Sequence, residues 1–433
     1  MVIVSAVGRA LRWGLRLLFW LLTLAFMLFL VRYSTLPLGE GWTAVGVLIR
    51  DVHFDYVGWE VDALAAKLDQ ALYGIAPYIN ESDRSDYARA YFRDVERARN
   101  LEAEVAAVYA DPAVDDPEAA SASLRAERDA LRIDLQVRQS LVESILEGQV
   151  AAALIEQGFG TAGQLLPPIS MRFSQLPNQL VVSRRDAIRY EMSFNLDPMP
   201  VDAQAALEAQ IDAEYDVASL IVPIGGMALF PAMVLETSSL NWAVDTFAHE
   251  WLHHYLFAFP LGYNYDFQGD TRTINETTAS LFGEAIAEVV LARYYPEFVT
   301  GSAQTQVIGA AGQAAPFDYG AAMHETRAEV DRLLAEGRID DAEAYMEARR
   351  RVFVANGYSI RKLNQAFFAF YGGYQSGELG VGGDDPVGPA VQALLDASPS
   401  IHEWVVTMRS IVTLDDLLAA RNRLTSAAGS QTG

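Results

Sequence analysis

Three of the six histidines in this 433-residue chain fall in one short segment, DTFAHEWLHHYLF, residues 245–257. His249, Glu250 and His253 there spell H-E-x-x-H. On a helix, positions i and i+4 share a face, so both imidazoles can reach one metal ion. Glu250 lies about 100° further round, close enough to contact a water on that ion without ligating it. Two neutral imidazoles leave a tetrahedral ion short of its set. A third ligand, carboxylate or imidazole, must come from another element, with a fourth position open to water. The flanks NWAVDTFA and YLFAF are apolar and read as a buried amphipathic helix, Ser239–Phe259, where an unpartnered His is costly.

The third ligand is sought on the next helix, which the pattern places at Asn275–Tyr295, closed by Pro296. The connection after Pro260 is long enough for that helix to return antiparallel to the first. Glu276, 23 residues after His253, then sits in its first turn. Glu284, Glu288, Asp270 and His254 are alternatives.

The pair His249-Glu250-Trp251-Leu252-His253 and Asn275-Glu276-Thr277-Thr278-Ala279 resembles the signature of the gluzincin zinc metallopeptidases. That group includes the thermolysin-like proteases and the membrane-alanyl-aminopeptidase type, and the likeness covers about residues 240–295. It implies one Zn²⁺ held by His249, His253 and Glu276, Glu250 as general base, and a peptide or protein substrate. It also implies a Tyr or His donor to the oxyanion, for which Tyr371 and His324 are candidates, with Tyr358 and Tyr374 behind them. Two departures stand out. Thermolysin-like enzymes place an Asp four residues after the ligand Glu, where this chain has Ser280; Asp245, four residues before His249, is a candidate to orient it instead, with a plain surface Asp as the alternative. The aminopeptidase strand carries G-x-M-E-N, but Gly225-Gly226-Met227 is followed by Ala228 and Leu229, so an anchor for a free α-amino group is missing.

The elements that must carry these residues are legible in outline. The chain reads as α+β and predominantly helical. A cytoplasmic N-terminus and transmembrane anchor occupy 1–34, and a helical region 35–165. A small β-sheet with the two zinc-binding helices occupies 166–300, and a C-terminal helical region 301–433. Trp13–Val31 carries one charge, Arg16, and is long enough to span about 30 Å of hydrocarbon. Arg9 and Arg12 precede it, so the positive-inside rule puts the N-terminus in the cytoplasm and the body outside. Residues 82–110 and 116–157 read as a long amphipathic hairpin. ISMRF, QLVVS, IRYEMSFNL and the run 219–235 read as strands. A short helix at 201–213 interrupts them. Helices at 322–355, 361–371 and 414–424 follow, with a Gly/Asp-rich loop at 375–389 and a disordered tail.

Composition excludes several classes. A net charge of −24 argues against a nucleic-acid partner, which needs a basic footprint. The absence of Cys removes disulfide scaffolds, iron–sulfur clusters and thiol nucleophiles. The expectation is a membrane-anchored zinc peptidase. Its rivals are a non-peptidase zinc hydrolase on the same scaffold and an inactive tethered interaction protein working through helices 82–157. Oligomeric state is open.

Overall fold

A continuous apolar run sets the first element. Helix α1, Val2–Ser34, contains Trp13–Leu30 at mean hydropathy 2.0, among the described residues the one helix long and apolar enough to cross a membrane. The computed structural model describes residues 2–34, 42–110, 114–265, 269–301, 317–371 and 386–430. It divides into two units, Met1–Val52 and His53–Gly433.

The second unit is mostly helical, with small sheets. It opens with α2, Tyr56–Tyr73, whose N-cap Asp55 accepts from Gly58 N–H. The expected hairpin follows as α3, Glu81–Ala110, and α4, Ala122–Leu154. Tyr91, Val95 and Ala98 of α3 and Val142, Leu146 and Val150 of α4 are buried in one core. Arg132–Glu102 at 2.9 Å and Arg138–Asp94 at 2.6 Å stitch the outer faces.

Two three-stranded sheets form from the β-rich stretch. In the first, β1 (Met171–Ser174) runs parallel to β6 (Ala232–Leu235), and β5 (Gly226–Met227) lies antiparallel on the far side of β6 as an edge strand. In the second, β2 (Asn178–Arg184) is flanked by antiparallel β3 (Tyr190–Leu196) and β4 (Val217–Pro223). Helix α5, Val201–Tyr215, joins β3 to β4. Glu143 and Glu147 of α4 accept the backbone N–H groups of Phe173 and Met171 at 2.8 and 2.6 Å, which satisfies the outer edge of β1.

Helix α6, Leu240–Leu256, is capped by Ser239 Oγ, which accepts from Trp242 N–H at 3.2 Å. Helix α7 is Gly269–Tyr294. It starts six residues before the expected Asn275, so Glu276 lies in its second turn rather than its first. The expected single helix over 322–355 is two, α8 (Tyr319–Ala335) and α9 (Ile339–Ala355). The chain turns between them at Gly337 with φ of 73°, a conformation that ends a helix. Helix α10, Gln365–Tyr371, is shorter than expected. Helices α11 (Val387–Ala397), α12 (Ile401–Met408) and α13 (Leu414–Ser430) close the chain. The last extends through most of the expected tail, and residues 375–385 of the expected loop lie outside the described residues. One core joins the hairpin, the first sheet, α6, α7 and α11–α13; a second joins the three-stranded sheet of β2 to α8–α10.

Candidate metal centre

Helices α6 and α7 pack side by side, and their facing residues build the site. Trp251 of α6 stacks on Phe282 of α7 with ring centroids 6.0 Å apart, and its Nε1 donates to Pro167 O at 2.9 Å. At Gly283 a Cβ would stand 2.1 Å from Asp245 Oδ1 and 2.9 Å from the Asp245 carbonyl oxygen. A residue without a side chain is therefore what lets the two helices approach.

That approach brings His249, His253 and Glu276 together as the one triad of potential metal ligands among the described residues. The two Nε2 atoms are 3.1 Å apart, and Glu276 Oε2 lies 3.6 Å from His249 Nε2 and 3.7 Å from His253 Nε2. A triangle with those sides has its centre about 2.0 Å from each corner, and zinc bonds to imidazole nitrogen and carboxylate oxygen run about 2.0–2.2 Å. The donor set therefore fits a zinc-sized ion without rearrangement.

The surroundings hold these donors in place. Tyr265 donates its hydroxyl to Glu276 Oε1, leaving Oε2 for the triad. Asn275 donates through Nδ2 to Leu261 O at 3.1 Å, and its side-chain oxygen faces the His253 ring without closing a bond of ordinary geometry. Such outer partners fix ligand orientation and basicity. Asp245 acts on His249 through charge; no hydrogen bond joins them among those described.

The charges favour a cation. Burial opposes protonation of His249, but the carboxylates of Glu276, Glu250 and Asp245 raise it to about 9. Burial pushes His253 down to about 4 despite Glu276. Glu276 is buried, yet His253, His249 and Arg272 hold it well below the usual carboxylate range. A divalent ion between the same atoms answers the same negative field. Burial raises Glu250 to about 7, against His249 and with Glu276. A base is most effective near the operating pH. Burial, relieved in part by His249, raises Asp245 to about 7, and Glu284 adds to it.

The centre opens into a cleft of about 1160 Å³, above the ~300–1,000 Å³ of small-ligand pockets. Its walls come from β5, α6, α7 and the second sheet. Gly226 of β5 packs against the Glu250 carboxylate so closely that a Cβ there would stand 2.1 Å from Oε1. Phe230, Phe257 and Tyr263 form an exposed apolar rim.

The other expected residues fall out as follows. Tyr371, at the end of α10, lines the cleft. His324 lies on α8 and is not among the residues that line the cleft. Tyr358 packs on Tyr319 at 4.5 Å in the second core, and Tyr374 lies outside the described residues. Glu284 lines the cleft without joining the triad, whereas Glu288 and Asp270 do not line it. His254 Nε2 donates instead to Leu229 O at 2.6 Å, tying α6 to the segment after β5. Tyr265 was not legible as a site residue from the sequence, and Gly226 was legible only as part of the Gly225-Gly226-Met227 strand. Neither has local periodicity, and only their contacts with Glu276 and Glu250 assign them.

No protein-family model, curated protein or solved structure matches the chain.

Proposed function

We propose that this chain is a membrane-anchored, zinc-dependent peptidase. The observation that carries the reading is the donor triangle of His249, His253 and Glu276, with sides of 3.1, 3.6 and 3.7 Å. The anchor is α1, with the N-terminus cytoplasmic and the body extracytoplasmic by the positive-inside rule. His249, His253 and Glu276 would hold the zinc ion, which when bound would supply Lewis acidity toward a carbonyl and would acidify a water. Glu250 would take a proton from the attacking water as the water oxygen bonds to the scissile carbon. The same carboxyl then passes the proton to the leaving amine nitrogen as the C–N bond breaks. Of the two candidates, Tyr371 lines the cleft and His324 does not, so Tyr371 is the one we assign to the developing oxyanion.

An extended peptide suits the cleft for two reasons. Its volume exceeds that of a small-ligand pocket. Its wall includes β5, an edge strand paired on one side only, the kind of element that accepts a further strand. Ala228 and Leu229 offer no carboxylate or amide to a free α-amine, which favours recognition of the peptide chain over its terminus.

The test is metal content and hydrolysis together. The intact chain should carry about one zinc, and Glu276→Ala should lose it. Glu250→Gln should keep the zinc and lose cleavage of a quenched-fluorescence peptide library by at least about 10²-fold. Wild-type cleavage by Glu250→Gln refutes the mechanism. Zinc bound with no cleavage of any peptide moves the chain to a non-peptidase hydrolase.

A further inference from the structure

Helix α2 is amphipathic with its faces reversed. Its inward face makes polar contacts. Lys67 Nζ pairs with Glu143 and Glu147, each at 2.9 Å. Gln70 donates to Glu147 at 2.8 Å, and Trp59 Nε1 donates to Ser174 Oγ at 2.8 Å. These bonds clamp the helix to α4 and β1, so its orientation is set. The opposite face presents Val57, Val61, Leu64, Leu68 and Leu72, which are 47–73% exposed. Tyr73, Ile75 and Tyr78 continue this apolar surface beyond the helix end, also exposed.

We propose that this face lies in the headgroup–acyl boundary of the bilayer that α1 crosses. The inference rests on the reading of α1 as a span. Three observations favour lipid over a second copy of the chain. Val57 follows Leu30, the end of the apolar window, by 27 residues, a tether of at most about 95 Å when extended, so a bilayer crossed by α1 is within the stripe's reach. With Ala65 and Ala71 the stripe is about 120° wide, broader than the two-position seam of a helix pair. Tyr73 and Tyr78 carry a hydroxyl on an apolar ring, the amphipathic form found at membrane interfaces. The charges flanking the stripe are acidic, Asp62 and Asp69, both exposed. Apolar insertion rather than attraction to anionic lipid therefore drives the contact, and it persists at high salt.

The full chain contains no cysteine, so a single introduced thiol gives one labelled position. Leu64→Cys, Leu68→Cys, Leu22→Cys and Asp129→Cys are each labelled with a fluorophore in phosphatidylcholine nanodiscs. Quenching by lipids brominated at different chain depths is then read. The labels at 64 and 68 should lose about half their intensity to shallow bromines, as for a helix about 5–10 Å deep. That at 22 should respond to deep bromines, and that at 129, on the hairpin surface, to none. Quenching at 22 with none at 64 and 68 overturns the proposal and leaves the anchor standing. Equal quenching at 64 and 129 overturns it as unspecific adsorption. Protection of 64 that appears only with two chains per disc overturns it in favour of a dimer. No quenching at 22 removes the anchor itself, and the stripe's own signal then decides whether α2 binds lipid unaided.

Discussion

Replacing Gly226 by alanine separates the placement of the general base from the holding of the metal. The new Cβ would stand 2.1 Å from Glu250 Oε1, 2.8 Å from its Cδ and 3.1 Å from its Cγ. The carboxylate must retreat by about 1 Å to reach even close van der Waals contact. It can do so, because it is the far end of a side chain bordering an open cleft. A misplacement of about 1 Å in a catalytic group can cost about 10²-fold in rate, or about 2.7 kcal/mol of barrier. The nearest atoms to that Cβ all belong to Glu250, not to a ligand. Gly226→Ala should therefore lower kcat about 10²-fold while zinc stays at about one per chain and the unfolding midpoint hardly moves. The assay is peptide hydrolysis beside metal analysis, repeated in a Glu250→Gln background. There the alanine should add nothing, because both changes act through one carboxylate. Wild-type kcat in Gly226→Ala, or additive losses in the double variant, would refute the argument that this glycine sets the position of the base.

Three further outcomes follow from the packing. Gly283→Ala places a Cβ 2.9 Å from the Asp245 backbone oxygen, which cannot swing aside. It should destabilise the fold by about 1–3 kcal/mol in denaturant unfolding, and an unchanged midpoint would show that α6 and α7 part freely. Tyr265→Phe removes the donor to Glu276 Oε1 and should weaken zinc binding about 10–100-fold in a competition titration with a chelator. Lys67→Met leaves buried Glu143 and Glu147 without their shared cation and should cost about 3–5 kcal/mol at neutral pH. Burial holds Glu147 above the ordinary carboxyl value of 4.5 even with Lys67 present, so its ionisation opposes folding. Stability present below pH 4.5 is lost as pH climbs through the raised folded value, and removing Lys67 enlarges that loss. The deficit of Lys67→Met should thus shrink on acidification, and a deficit independent of pH would contradict the assignment.

Much of this protein is written in short-range patterns. His249 and His253 share a face because any helix puts i and i+4 together. Glu276 is reachable because its helix returns after Pro260, whatever else the chain does. The hairpin of α3 and α4 and the apolar run in α1 follow from periodicity and length alone. Element boundaries are less secure where a tertiary contact extends or breaks a helix. Asn275 looks like a helix start, yet α7 begins at Gly269, with Thr271 Oγ1 bonded to Val412 O at 2.6 Å. What local pattern could not decide is which distant groups meet. Tyr265 reaches Glu276, Gly226 meets Glu250 and Gly283 admits Asp245 only because two helices and an edge strand converge. Nor does amphipathicity say which face of a helix turns inward. In α2 the buried ion pairs to Glu143 and Glu147 decide it, and they send the leucines out. Periodicity is a property of consecutive residues. The site's second layer and that outward face depend on contacts between residues far apart in the chain, and only the folded structure brings those together.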